Sequence, residues 1–121
     1  MTADELENRL IRFAIDCIKL TSMAKKSYAS DHMNGQLIRS ASSPPLNYSE
    51  ARAGESHRDY IHKMQICLKE LRESKTNLRI QIGTDFYESK EFIEILLKEA
   101  TELVLIFSKS VSTSKRNNRI V

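Results

Sequence analysis

Three carboxylates stand at helical positions in the middle of the chain, where acidic side chains could hold a metal ion. Asp59, Glu70 and Glu73 fall on one predicted helix. Carboxylate metal sites in helical bundles place a glutamate three residues before a histidine, and this sequence has no such pair. His57 and His62 are five residues apart, whereas side chains that share one face of a helix are three or four residues apart. The sequence therefore predicts no metal site.

Signatures of catalysis are also missing from the sequence. The chain contains no nucleophile elbow, phosphate-binding loop, zinc motif or dinucleotide-binding turn, and it has only 3 glycines. Cys17 and Cys67 lie inside apolar helical patterns, so we expect two buried thiols in a reducing compartment rather than a disulfide scaffold. We therefore expect a protein that is not an enzyme and needs no cofactor.

Basic side chains are concentrated in parts of the chain and could bind phosphate. Residues 109–121 contain basic but no acidic residues, whereas most of the charged residues over 80–108 are acidic. Such segments bind nucleic acid, although terminal cations also suit the negative end of a helix. Only Tyr60 lies among the candidates, so base stacking is expected to be minor. The candidate nucleic-acid-binding residues are Arg52, Arg58, Lys63, Lys115, Arg116 and Arg119.

A second polar group lies on two neighbouring predicted helices. Its members are small hydroxyls, amides and opposite charges at roughly helical spacing: Arg39, Ser40, Ser43, Asn47, Glu50, Glu70 and Glu73. The favoured interpretation is a structural network between helices or between subunits. A surface for RNA or another ligand is the functional alternative, and an ordinary solvated face is the third.

Apolar periodicity predicts four helices in a single domain over residues 1–121. Intervals of three and four residues place one apolar stripe on each segment, and Ser56 is expected to cap the third. Four such helices joined by short links form an antiparallel up-down-up-down bundle, an all-α fold. Residues 113–121 are expected to be a basic, disordered tail. The four segments run from about Ala3 to Lys26, His32 to Ala53, His57 to Ile82 and Ser89 to Ser112.

Two consecutive prolines interrupt the second helix. Pro44 and Pro45 each lack an amide hydrogen, so the carbonyls of Ser40 and Ala41 lose their helical donors. The sequence predicts a kinked helix or two pieces, with Ser43 capping the second piece.

The apolar residues are more numerous than one bundle core needs. Five of them fall outside the narrow core stripes: Ile11, Ile15, Ile80, Leu105 and Ile106. Self-association would bury these extra apolar residues in a second surface, between copies of the chain.

Four stretches in the second and third segments together resemble a known family. They read QLIRSASS at 36–43, NYSEA at 47–51, SHRDYIHKM at 56–64 and LKELRES at 68–74. In this combination and order the chain resembles the bacterial four-helix-bundle family that includes the proteins encoded in 23S rRNA intervening sequences. The resemblance implies an antiparallel four-helix bundle assembled as a homopentameric ring. This chain departs from the family pattern at Pro44-Pro45 and at Asn77, where an aromatic residue often stands.

These features together favour a cytoplasmic, non-enzymatic oligomeric binding protein. The acidic N-terminus is unlike a signal peptide, and no apolar run is long enough for a membrane span. By resemblance and by its basic patches, the partner is expected to be RNA or a ribonucleoprotein. The alternative is a protein-binding scaffold without a nucleic-acid role, which salt dependence of binding would distinguish.

Overall fold

The protein is built from helices alone in the part that the structure describes. The structure is a computed structural model that describes residues 1–54 and 56–120, with side chains as far as residue 117. Four helices follow one another: α1 (Ala3–Thr21), α2 (Tyr28–Arg52), α3 (His57–Ile82) and α4 (Glu91–Ile120). No strand occurs within these residues, which confirms the predicted all-α class.

Serine and threonine hydroxyls determine where three of the helices begin. The Ser56 side chain accepts from the Asp59 amide, so α3 begins at the predicted residue. Ser27 and Ser30 form a reciprocal capping box that begins α2 at Tyr28, four residues before the predicted His32. Thr2 caps α1 in the same way, together with Glu5.

The second helix runs unbroken through both prolines, so the predicted division into two pieces is wrong. Pro44 is itself buried. It belongs to a stripe of residues, spaced four and three apart, that packs into the core: Leu37, Ala41, Pro44, Tyr48 and Ala51. Burying a large apolar side chain such as Leu37 or Tyr48 of this stripe contributes roughly 1.5–3 kcal/mol. Together these two side chains offset one interior proline, which costs about 3 kcal/mol or more. Ser43 lies inside α2 and therefore does not cap a helix. Its hydroxyl accepts a hydrogen bond from the side-chain amide of Asn47. A bend at the prolines stays a prediction.

The fourth helix continues beyond the predicted end at Ser112. Val111 and Ser114 are buried, and His57 Nε2 lies 3.1 Å from the Ser114 carbonyl oxygen, so this last part packs against the start of α3. No glycine or proline follows Gly83 to stop the helix. The structure therefore differs from the disordered tail expected over residues 113–121, as far as Ile120. Val121 lies outside the described residues.

Neighbouring helices run antiparallel and enclose one core. Contacts join α1 to α2, α2 to α3, α3 to α4 and α4 back to α1. Arg52 at the end of α2 meets Asp4 at the start of α1, and Ser40 meets Ser74 across α2 and α3. In the core, the rings of Tyr48 and Phe107 meet edge to face, with centroids 5.7 Å apart.

Both cysteine side chains are buried, as the sequence predicted. Burial raises the pKa of the Cys67 thiol to about 12, and it raises the pKa of the Cys17 thiol further. The Cys67 thiol donates to the Pro44 carbonyl oxygen at 3.4 Å. A protonated, buried thiol is a poor nucleophile, so neither cysteine is placed to react. Both act as small apolar side chains of the core.

Candidate nucleic-acid interface and polar network

One end of the bundle carries the cations that the sequence singled out. The start of α1, the end of α2, the start of α3 and the end of α4 meet there, because adjacent helices are antiparallel. Arg52 is the last residue of α2, and Arg58 and Lys63 lie in the first two turns of α3. Lys115 and Arg116 lie near the end of α4. Arg119 is on the same helix, but its side chain lies outside the described part.

Two of these cations are already engaged by carboxylates. Arg52 donates to Asp4 Oδ1 at 2.7 Å and to Glu7 Oε1 at 3.1 Å, and these hydrogen bonds raise the pKa of Arg52. The Lys63 ammonium forms an ion pair with Glu50. Phosphate would have to compete with these acids, so Arg52 and Lys63 are weaker candidates than the sequence suggested.

Three other cations at this end point into solvent. Arg58, Lys115 and Arg116 are exposed. None of the three forms an ion pair with a residue that the structure describes. Because an exposed, unpaired guanidinium or ammonium needs no rearrangement to meet a phosphate, these residues form the candidate interface.

The predicted polar network exists in part, between α2 and α3. Arg39 Nη1 donates to Glu70 Oε2 at 3.0 Å, and its Nη2 donates to Glu73 Oε2 at 2.7 Å. Hydrogen bonding to Glu73 raises the pKa of Arg39, and the same contact lowers the pKa of Glu73. The Glu70 side chain is only 10% exposed, whereas that of Arg39 is 53% exposed.

Small hydroxyls lie next to this ion pair. Ser40 Oγ and Ser74 Oγ are 2.8 Å apart, both fully buried, and Ser74 also donates to the Glu70 carbonyl. The structure thus brings together Arg39, Ser40, Glu70 and Glu73. The other three predicted members lie elsewhere: Asn47 bonds Ser43 within α2, and Glu50 pairs with Lys63.

Removing the Arg39 guanidinium is expected to lower the melting temperature in a pH-dependent way. Arg39→Ala leaves the Glu70 carboxylate without its cation and beside Glu73, so the two charges repel. Because Arg39 holds the pKa of Glu73 below its ordinary 4.5, the contact stabilises the fold above that pH. This stabilisation is lost as the pH falls through the lower folded-state pKa.

Thermal melts at neutral pH and in acid measure this effect. The difference between wild type and Arg39→Ala should be greatest at neutral pH and shrink in acid. Arg12→Ala is the control, because Arg12 is exposed and forms no ion pair with a described residue. Its melting temperature should differ little from that of the wild type. A difference that is the same at both pH values would refute the ionic explanation.

A second polar cluster, which the sequence did not predict, is buried at the other end of the bundle. Tyr87 donates to Gln81 Oε1 at 2.7 Å, Gln81 donates to Asn77 Oδ1 at 2.7 Å, and Asn77 donates to the Met33 carbonyl at 3.0 Å. The Tyr87 hydroxyl also lies 3.4 Å from Asn34 Oδ1. The sequence signal was Asn77, noted above as a departure from the pattern of the family that the chain resembles.

Two further findings concern the described residues only. No three histidine, cysteine, aspartate or glutamate side chains among them converge well enough to bind a metal ion. None of the helices combines the length and apolar character that crossing a membrane requires.

Comparison with known proteins identifies the family. The family model described as 23S rRNA-intervening sequence protein matches residues 5–109, so the chain belongs to that family. The resemblance seen in the sequence is confirmed. A similar solved structure is that of a protein with unknown function from the S23 ribosomal protein family of Bacteroides thetaiotaomicron. It has a TM-score of 0.77 and 25% sequence identity, with 93% of this chain and 99% of that chain covered. No curated protein sequence matches.

Proposed function

We propose that the protein is a cytoplasmic, non-enzymatic oligomeric binding protein whose partner is RNA or a ribonucleoprotein. The observation that carries the proposal is the group of exposed cations without described ion-pair partners, Arg58, Lys115 and Arg116, at one end of the bundle. The rRNA in the family's name supports the same partner class. Phosphate contacts of this kind position an RNA without reading its sequence.

Self-association is the second part of the proposal. Ile11, Ile15 and Ile18 follow steps of four and three residues along α1 and are 40%, 42% and 47% exposed. The neighbouring α2 also exposes Ile38 and Leu46. Of the five surplus apolar residues, only Ile106 packs against the core, and the other four are exposed. Such a stripe on a small protein supports burial against further copies, which we propose form a homopentameric ring.

Oligomerisation also strengthens the proposed RNA binding. One chain has a net charge of only +3, and the outer face of α4 adds exposed acids. A ring repeats the basic end in every subunit, so one RNA can contact several copies at once.

Affinity for RNA is therefore expected to fall steeply with salt. Titrating a labelled RNA of mixed sequence at several salt concentrations gives the slope of log affinity against log salt. Each phosphate contact contributes about 0.7–0.9 to that slope, and we expect several contacts. RNAs of unrelated sequence should bind alike. Absence of binding at about 50 mM salt, where electrostatic affinity is high, would rule out this function.

A protein-binding scaffold is the second candidate function. A groove of about 570 Å³ between the end of α1 and the start of α4 favours it. Leu20, Met23, Phe92 and Ile95 contribute apolar surface there. An apolar partner would bind with little salt dependence. A partner whose affinity stays the same as the salt concentration rises would therefore favour this alternative.

A further inference from the structure

The outer face of α3 carries a regular row of cationic and neutral polar residues. Positions 58, 62, 65, 69, 72, 76 and 79 follow one another in alternating steps of four and three, which keeps them on one face of a helix. No acidic residue occupies any of these positions. We call this row the α3 stripe: Arg58, His62, Gln65, Lys69, Arg72, Thr76 and Arg79.

The cations of the α3 stripe are exposed and lack carboxylate partners. Lys69, Arg72 and Arg79 are exposed like Arg58, and none of the four forms an ion pair with a described residue. This sets them apart from the arginines of α1 and α2 that bridge helices. Glu73 lies next to the stripe, one helical turn from Lys69, and its carboxylate is paired with Arg39 of α2.

The fourth helix adds a cation beside the α3 stripe. Lys115 lines an open groove of about 440 Å³ between α3 and α4, together with Lys69 and Arg72. Three positive charges thus border one groove, and Glu73 is the acid on its rim. The groove joins the middle of the stripe to the basic end of the bundle, where Lys115 and Arg58 lie.

The length of the α3 stripe suits a polyanion better than a small anion. From Arg58 to Arg79, at about 1.5 Å per residue, it extends about 32 Å. A row of this length spans several phosphates of a nucleic-acid strand, whereas a small anion could contact only one or two of its cations. A row of like charges destabilises the isolated protein by repulsion, and a phosphate backbone along it removes that repulsion.

We propose that the α3 stripe binds the phosphate backbone of RNA. This rests on the proposed function and extends the interface from one end of the bundle along the whole of α3. Guanidinium groups of Arg58, Arg72 and Arg79 can each hold a phosphate with two hydrogen bonds. His62 is the one aromatic side chain of the stripe, so base stacking is minor and contact is mainly to the backbone, which tolerates any sequence.

The test compares two variants that lose the same three positive charges. The stripe variant is Lys69→Gln, Arg72→Gln and Arg79→Gln. The control variant is Lys25→Gln, Lys98→Gln and Lys109→Gln, at exposed positions outside the stripe. Glutamine keeps a long polar side chain with good helix propensity, so both variants should fold, which circular dichroism checks. Binding of a labelled RNA is titrated at several salt concentrations, and light scattering gives the oligomer mass.

The stripe variant is expected to bind RNA at least about tenfold more weakly at low salt, with a salt slope lower by about 2. The control variant should keep the slope of the wild type. Equal weakening in both variants, or in neither, overturns the stripe but leaves the proposed function standing. A changed oligomer mass in the stripe variant would assign the stripe to a contact between copies and overturn the proposal. Failure of the wild type to bind RNA overturns the proposed function itself.

Discussion

Replacing Tyr87 by phenylalanine is expected to lower the free energy of unfolding by about 1–3 kcal/mol, the usual cost of a buried polar group left without its partner. The hydroxyl donates to Gln81 Oε1 at 2.7 Å, and Gln81 is completely buried. Phenylalanine keeps the ring, so the change removes the hydrogen bond without creating a large cavity. In a domain of this size, each kcal/mol shifts the melting temperature by about 4 °C.

Chemical denaturation and thermal melts measure the loss, with Tyr28→Phe as the matched control. The Tyr28 side chain is 87% exposed, so removing its hydroxyl should leave stability unchanged. Equal stability of Tyr87→Phe and wild type would show that the buried polar cluster contributes nothing to the fold.

Introducing a charge among the exposed isoleucines of α1, Ile11, Ile15 and Ile18, is expected to dissociate the proposed oligomer. Ile15→Glu places a carboxylate where the proposed ring buries an apolar side chain, and burying an unpaired charge costs several kcal/mol. The same side chain is 42% exposed within one chain, so the fold itself should tolerate the change. Light scattering should show the mass falling from several chains to the 13.9 kDa of one.

A charge at an exposed apolar residue elsewhere is the control for this effect. Met23→Glu, just beyond α1 where the side chain is 59% exposed, should leave the oligomer mass unchanged. A wild-type protein of 13.9 kDa at micromolar concentration would refute self-association altogether. An intact oligomer in Ile15→Glu would place the interface on another face.

Local sequence signals predicted the helices well, and long-range packing accounts for the errors. The range His57–Ile82 was predicted correctly because Ser56 and Gly83 bound it within the sequence itself. The early start of α2 was missed because Ser30 completes the capping box where a glutamate is usual. The break at Pro44 was predicted because the local cost of proline is visible in the sequence, whereas its burial in the core depends on the other helices.

Ionic partners across helices were harder to predict than residue types. The sequence grouped Arg39, Glu70 and Glu73 from their positions on adjacent helices, and the three side chains are in contact in the structure. Arg52 was predicted to bind RNA, and its partners Asp4 and Glu7 lie more than 40 residues away, so the sequence could not reveal them. The α3 stripe was also missed. Charge summed over a segment mixes the cations of this row with acids at neighbouring positions of the same helix, and only helix geometry separates the two.

Sedimentation velocity of a fluorescently labelled RNA mixed with the protein at low salt reports RNA binding and particle mass together. If the protein is an oligomer that binds RNA, the RNA moves with a particle of several chains and returns to its free rate as salt is raised. RNA that sediments alone at low salt would contradict RNA binding, and RNA that sediments with a single 13.9 kDa chain would contradict the oligomer.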